Sequence, residues 1–151
     1  MTEIRCPEPS EFPDLSALCM RSKAHWGYDA NFMQQCRAEL TLTKDRVGSD
    51  PIAVIGPIGR VQAIALVSFE GETAHLDKLF VDPVAMGLGL GRTLMGWATQ
   101  TARNVGAREM VIEADPGAVA FYSRMGARPA GAVPSGSIPG RNIPRLVIDL
   151  R

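Results

Sequence analysis

The sequence predicts an α/β protein of the mixed α+β kind, one mixed sheet covered by helices on both faces. Three observations lead there. Residues 51–82 hold three β-rich runs whose connections are too short for crossovers, the mark of an antiparallel meander. Two amphipathic helical runs precede them, and strands and helices alternate after them. The 151 residues, 46% hydrophobic and 21% charged, suit one globular domain, residues 1–151, with a core of its own.

Taken in order, a short strand is expected around Ile4. In "SEFPDLSALCMRSKAHW", Leu15, Leu18, Cys19 and Ser22 share one helical face, with Ser10 as N-cap and Pro13 in the first turn. Gly27 breaks that pattern, and Phe32, Met33, Cys36 and Leu40 resume it. "PIAVIGP" and "VQAIALVSF" form a hairpin, and after the turn "EGETA" the strand "HLDKLFV" ends at Asp82-Pro83. Leu90, Leu94, Trp97, Ala98, Thr101 and Val105 mark the next helix, which stops near Gly106. "REMVIEAD" reads as a strand, "GAVAFYSRMG" as a helix and "RLVIDL" as the last strand, a succession compatible with a right-handed parallel crossover. The Pro-, Gly- and Ser-rich residues 129–144 read as a loop or an interrupted hairpin, and as mobile.

Charge and composition narrow the function. Sixteen basic residues offset sixteen acidic ones without a basic stripe, which argues against nucleic acid as a partner. No apolar run approaches the roughly 18 residues of a membrane span, and the N-terminus lacks the pattern of a secretory leader. Cys6, Cys19 and Cys36 have no pairing pattern, so a reducing, cytoplasmic setting is expected. Two histidines and scattered cysteines form no ligand cluster, so no metal is expected.

The stretch "VDPVAMGLGLGRTLMGWATQTA" carries the chemistry. Gly87, Gly89 and Gly91 alternate just ahead of a helix, yet the dinucleotide fingerprint GxGxxG fails at Arg92 and Leu94 in its two registers. The triphosphate loop fails too, because Trp97 stands where lysine is required after Gly96. What survives is the shared physics. Glycines let successive N–H groups point into one concavity, and a helix start adds free donors and partial positive charge for a phosphate. Arg92 and Thr93, in the first helical turn, offer further donors, and a ligand-free turn is the plain alternative.

This segment resembles the acyl-CoA-binding signature of the GNAT superfamily of N-acetyltransferases. There a strand ending in Val-x-Pro precedes a loop of Arg or Gln, two residues, Gly, one residue, and Gly or Ala. Gly89 and Gly91 match, and Met86 departs from the first position. "ADPGAVAFYSRMGARPAG" resembles the second signature: Pro116, Ala118, Phe121, Tyr122 and Gly126 match, while Asp115 replaces Asn and Ala127 replaces an aromatic. The two cover about residues 76–130. An uncharacterised subgroup of the superfamily is also similar in "SKAHWGY" and "SGSIPGR".

The resemblance implies a largely antiparallel central sheet, helices on both faces, and a splayed strand pair forming the coenzyme cleft. It implies acetyl-CoA as donor, coenzyme A as product, and a primary amine, small molecule or peptide, as acceptor attacking directly in a ternary complex. It places the pantetheine arm on the amides of Leu79, Phe80 and Val81, and the pyrophosphate on Gly87, Leu88, Gly89, Leu90, Gly91, Arg92 and Thr93. Phe121 and Tyr122 line the coenzyme, and Asp115 is either a contact to it or the N-cap of the following helix. Tyr122 stands at the general-acid position, a phenol of pKa about 10 beside a thiol of about 8.5. Glu113 is the first choice of base, with Asp77, His25 and His75 as alternatives. His25, Trp26 and Tyr28, together with Arg141 and Ser137 from the glycine-rich loop, are placed at the acceptor cleft. A monomer or a homodimer is expected. A non-catalytic acyl-CoA sensor is the rival reading, and a phosphate-binding module a weaker one.

Overall fold

The computed structural model describes residues 3–151. Met1 and Thr2, part of the N-terminal stretch read for a leader, lie outside the described residues. The strands are β1 (Ile4–Arg5), β2 (Ile52–Ile55), β3 (Ala63–Glu70), β4 (Thr73–Val81), β5 (Glu109–Glu113), β6 (Arg128–Pro134) and β7 (Asn142–Asp149). The helices are α1 (Phe12–Ala24), α2 (Ala30–Leu40), α3 (Lys44–Val47), α4 (Leu90–Asn104) and α5 (Val119–Arg124). The sheet runs β1-β2-β3-β4-β5-β7-β6, antiparallel except where β4 meets β5; β7 lies antiparallel to β5 rather than completing a parallel crossover with it, because β6 intervenes after α5 and turns the chain back. None of these helices is long and apolar enough to cross a membrane.

Two apolar layers cover the two faces. Leu15, Leu18 and Cys19 of α1 and Cys36 and Leu40 of α2 bury against Val54, Ile64 and Leu66. On the other face Leu90 and Leu94 of α4 pack on Ala63 and Ala65, and Met95, Ala98 and Ala102 on Ala74, Leu76 and Met110. The small residues let the helix lie close to the sheet. Val105 does not join that face: the helix ends at Asn104, and Val105 is 62% exposed ahead of Gly106, whose φ is +87°.

The start of α1 differs from its expected capping. Pro9–Glu11 form a 3-10 turn, so Ser10 lies inside a turn rather than capping the helix. Glu11 supplies the anchoring group instead. Its buried carboxylate accepts from the Glu8 amide at 2.7 Å and from two Arg5 nitrogens at 2.9 and 2.7 Å. Arg5 holds the Glu11 carboxyl below its usual range, against the opposing effect of burial. Residues 128–149 form the interrupted hairpin, with a register shift between Pro129 and Ala132 and a loop at residues 135–141.

Candidate active site

The site begins where two strands part. β4 pairs with β5 only through Thr73–Glu109, Ala74–Met110 and His75–Val111, and then runs on to Val81 without a partner on that side. The phase of its other edge decides which backbone groups are free. The Asp82 amide donates to the Gln62 carbonyl at 2.8 Å, so the ladder pairs Phe80 and Lys78 with β3. Leu79 and Val81 therefore aim their N–H and C=O groups into the gap. Phe80, expected among the free amides, is spent within the sheet opposite Ile64, a correction set by strand alternation.

A bulge interrupts the same strand nearer its start. Leu66 pairs with Lys78 but Val67 with Leu76, which leaves Asp77 as the extra residue of β4. Leu76 and Leu79 consequently share the α4 face although three positions apart, and Asp77 no longer follows the alternation that groups it with Leu79 and Val81. On β5, Met110 and Ile112 pack toward α4. Val111 and Glu113 then face α1 and α2, as does His75 opposite Val111. Asp77 and Glu113 both line the cleft and are exposed, whereas His75 lies 3.8 Å from Glu70.

At the mouth of the gap the glycines divide their work. Gly87 (φ +86°) and Gly89 (φ +77°) hold backbone conformations that side chains disfavour, with nothing within 4 Å of an added Cβ. Gly89 is the N-cap of α4, and the first intrahelical bond runs from the Thr93 amide to its carbonyl at 3.1 Å. The amides of Leu90, Gly91 and Arg92 consequently have no partner four residues back. Gly91 serves packing: a Cβ there would stand 3.2 Å from the Phe121 ring. The Thr93 hydroxyl, expected as a ligand donor, donates to the Gly89 carbonyl at 3.1 Å instead. Leu88 is 66% exposed and does not line the cleft, unlike the glycines on either side of it. Asp82 anchors this loop by capping the turn at Pro83–Ala85 and by accepting from Arg21 at 2.8 Å.

Tyr122 enters the gap from the α5 side. The residue is 93% buried by area and lines the cleft. Burial alone pushes the phenol well above its ordinary value, so it keeps its proton throughout the neutral range. Phe121 stands edge-on to it at 5.2 Å. The whole cleft has a volume of about 970 Å³ and runs from Gly87 and Arg92 to Glu39 and Ser137.

Around Asp115 the structure revises several expected roles. One carboxylate oxygen accepts from the Gly117 amide at 2.9 Å, which makes Asp115 the cap of the turn leading into α5. The other accepts from the Tyr28 hydroxyl at 2.6 Å and lies 3.6 Å from Lys23 and 3.9 Å from Arg141. That carboxylate is saturated by protein groups. Tyr28 does not line the cleft: Phe32 stacks on its ring at 3.9 Å, and the Arg141 guanidinium sits beside the pair, 5.2 Å from Tyr28 and 4.9 Å from Phe32. His25 follows α1 and stays exposed outside the cleft, because the helix turns it away at its C-cap. Trp26, 47% exposed, covers the Gly117 backbone and lines the cleft, so it does not plug the core. Glu39, Lys78 and Arg124 also line the cleft and carry no pattern that a sequence reading detects. Among the described residues no group of three or more His, Cys, Asp or Glu is placed to hold a metal ion.

Comparisons with known proteins agree with this arrangement. A family model described as the acetyltransferase (GNAT) family matches residues 14–127. An uncharacterized N-acetyltransferase, ycf52-like, from Prochlorococcus marinus is 37% identical over 53 residues, 35% of this chain and 29% of that protein. The match thus spans under a third of that relative's length. A GCN5-related N-acetyltransferase from Rhodopseudomonas palustris superposes with a TM-score of 0.80 at 18% identity, over 99% of this chain and 96% of the other. The PaiA N-acetyltransferase from Thermoplasma acidophilum, solved in complex with coenzyme A, gives 0.77 at 14% identity over 99% of both chains. At these identities the two structures establish a shared fold.

Proposed function

Since this chain belongs to the acetyltransferase (GNAT) family, we propose that it transfers the acetyl group of acetyl-CoA to a primary amine by direct attack within a ternary complex. The observation that carries this reading is the gap between β4 and β5, with free backbone donors along one wall and the Tyr122 hydroxyl inside it. The residues present fit the coenzyme. Gly87 and Gly89 leave open space where side chains would intrude, and the start of α4 presents the unpartnered amides of Leu90, Gly91 and Arg92 to a pyrophosphate. Arg92, exposed at the cleft, adds a charge to that end. Leu79 and Val81 hold the extended arm by strand-like pairing and polarise a carbonyl placed beside them.

Acetyl-CoA supplies an activated thioester; the protein supplies placement and protons. Glu113 faces the α1–α2 side of the gap and takes the proton from an amine entering there, directly or through one water. Tyr122, on the α4–α5 side, donates its proton to the sulfur that leaves. Acid and base thus approach from opposite faces of the sheet, each toward its own proton site. The test is free-thiol release with acetyl-CoA and a panel of amines, amino acids and peptides. Amine-dependent thiol release supports the proposal. Coenzyme binding without turnover of any amine would favour a sensor, and absence of binding would remove the reading altogether.

A further inference from the structure

Two stretches of the chain, residues 23–29 and 135–142, play no part at the coenzyme end, yet the fold brings both to Asp115. The Tyr28 hydroxyl donates to Asp115 at 2.6 Å and accepts from Arg141 at 2.8 Å, bridging a carboxylate and a guanidinium that stand 3.9 Å apart. Burial and Asp115 raise the Tyr28 phenol, so the bridging proton stays on it at neutral pH. The far end of the same loop is held as well. Ser137 donates to the Glu39 carboxylate, and a Cβ on Gly136 would stand 3.3 Å from that carboxylate.

The positions of these anchors matter more than their strength. The loop 135–141 leaves from β6 and returns to β7, which pairs with β5, on one side of the gap. Glu39 belongs to α2, whose packing is on the β2–β3 half beyond the other side. Lys78 of β4 donates to the Glu39 carbonyl at 3.1 Å, which fixes that far anchor to the opposite lip. A loop tied at both places crosses the gap on the α1–α2 face, above Glu113 and Asp77. That is the face through which the acceptor arrives.

We infer that residues 135–141 are a strap, latched by Tyr28, Asp115 and Arg141, that narrows the acceptor end to admit a small-molecule amine and shuts out polypeptide acceptors. The inference rests on the acetyl-transfer reading of the cleft. A peptide presenting its terminal or lysine amine at the gap needs an open trough, because each extended residue adds about 3.3 Å of chain that must lead away. The strap occupies that path, whereas a compact amine needs only the space beneath it. Tyr28, Asp115 and Arg141 are positioning residues; none of them reaches the reacting atoms.

Hydrogen exchange on the full chain tests the latch without any substrate. In Tyr28→Phe, which keeps the ring stack and loses both hydroxyl bonds, amides 135–141 should exchange at least about tenfold faster, with those of α4 unchanged. Equal exchange in wild type and variant overturns the latch. Steady-state kinetics with saturating acetyl-CoA then compares simple diamines and amino-alcohols with decapeptides bearing a free N-terminus or an internal lysine. Wild type should favour the best small amine over the best peptide by at least about 100-fold in kcat/KM, roughly the loss a blocked acceptor path implies. Tyr28→Phe should narrow that ratio about tenfold and raise the small-amine KM, leaving the acetyl-CoA KM unchanged. Arg141→Ala should repeat this effect, and Arg141→Lys should fall between it and wild type. Wild-type turnover of peptides as fast as of small amines overturns the proposal. Loss of acetyl-CoA binding in wild type would instead refute the acetyl-transfer reading, while the exchange experiment still judges the latch.

Discussion

The two ends of the cleft are made of different materials. The end proposed for the coenzyme is backbone: positive-φ glycines, a helix start, and the unpaired edge of a strand. The end proposed for the acceptor is side chains from three distant segments, with Tyr28, Asp115 and Arg141 drawn together across gaps of 87 and 113 residues. A backbone site serves a ligand whose shape never changes, since main-chain donors sit at fixed spacings whatever surrounds them. A site of side chains is where one fold is retuned for one acceptor. The first end should answer to substitution through coenzyme affinity, the second through amine KM, and Tyr122 between them through kcat.

That division is broken most forcefully at Tyr122. Tyr122→Phe removes the only hydroxyl that α5 places in the gap and leaves the buried ring in place. It should lower kcat by roughly 10²-fold or more, the usual scale for a lost proton donor, with acetyl-CoA affinity unchanged by calorimetry. If acetyl-CoA affinity falls along with kcat, the phenol belongs to the coenzyme end and the three-way division fails.

Next in size is Gly89→Val. At φ +77° a β-branched residue is strained by roughly 2 kcal/mol or more, and its side chain projects into the cradle. Acetyl-CoA affinity should fall about 30-fold or more while the circular dichroism spectrum is retained, and the amine KM should hold once the coenzyme is saturating. An amine KM that rises equally would mean that the two ends are not separable. Gly91→Ala is the contrast within the same motif: its Cβ meets Phe121 at 3.2 Å, so it should disturb α5 packing rather than the cradle.

These two ends were unequally legible in the sequence, and the reason is physical. Gly87, Gly89 and Gly91 announce a helix-start cradle because the signal is local, a spacing of two ahead of an apolar period. The antiparallel meander of β2, β3 and β4 follows from connection lengths, which are local too, whereas the parallel step from β4 to β5 and the antiparallel return of β7 do not. The Asp77 bulge is not, because it exists only as a count against β3, two residues facing one. Nor is the spending of Thr93 and Phe80 within the scaffold, since each depends on which way a backbone group points. Asp115 was legible as a cap, but its grip on Tyr28, Lys23 and Arg141 depends on three tertiary meetings. Ser10 yielded to Glu11 for the same reason: only the fold brings Arg5 alongside.

Arg5 and Glu11 provide the control that belongs to neither end. Glu11→Gln leaves a charge at Arg5 without its partner, and because Arg5 is partly exposed the loss should be about 2 kcal/mol rather than the 3–5 of a fully buried pair. Both KM values should stay put while the melting midpoint drops by roughly 4–8 °C. The sign with pH follows from the lowered carboxyl. The pair's contribution is fully present above the ordinary value of 4.5 and is lost as pH falls from there through the lower folded value. Denaturant unfolding between neutral and acidic pH should therefore show wild type converging on the variant only below about pH 4.5. A change in either KM would show that α1 transmits strain to the cleft.

Asp115→Asn has the smallest expected effect and separates two components of the acceptor end, charge and hydrogen bonding. The single amide oxygen can still accept from the Gly117 amide, which keeps the cap, while the amide nitrogen takes the place of the other oxygen and bonds the Tyr28 hydroxyl only by donating to it. What disappears is the charge facing Lys23 at 3.6 Å and Arg141 at 3.9 Å, neither of them a short contact. Partly exposed pairs of that kind contribute about 0–1 kcal/mol each. The amine KM should rise by no more than about threefold, and the melting midpoint should fall by a few degrees at most. Added salt should shrink the difference, since it screens the charges and not the hydrogen bonds. A loss as large as that of Tyr28→Phe would mean that charge, rather than the bridging hydroxyl, holds the strap.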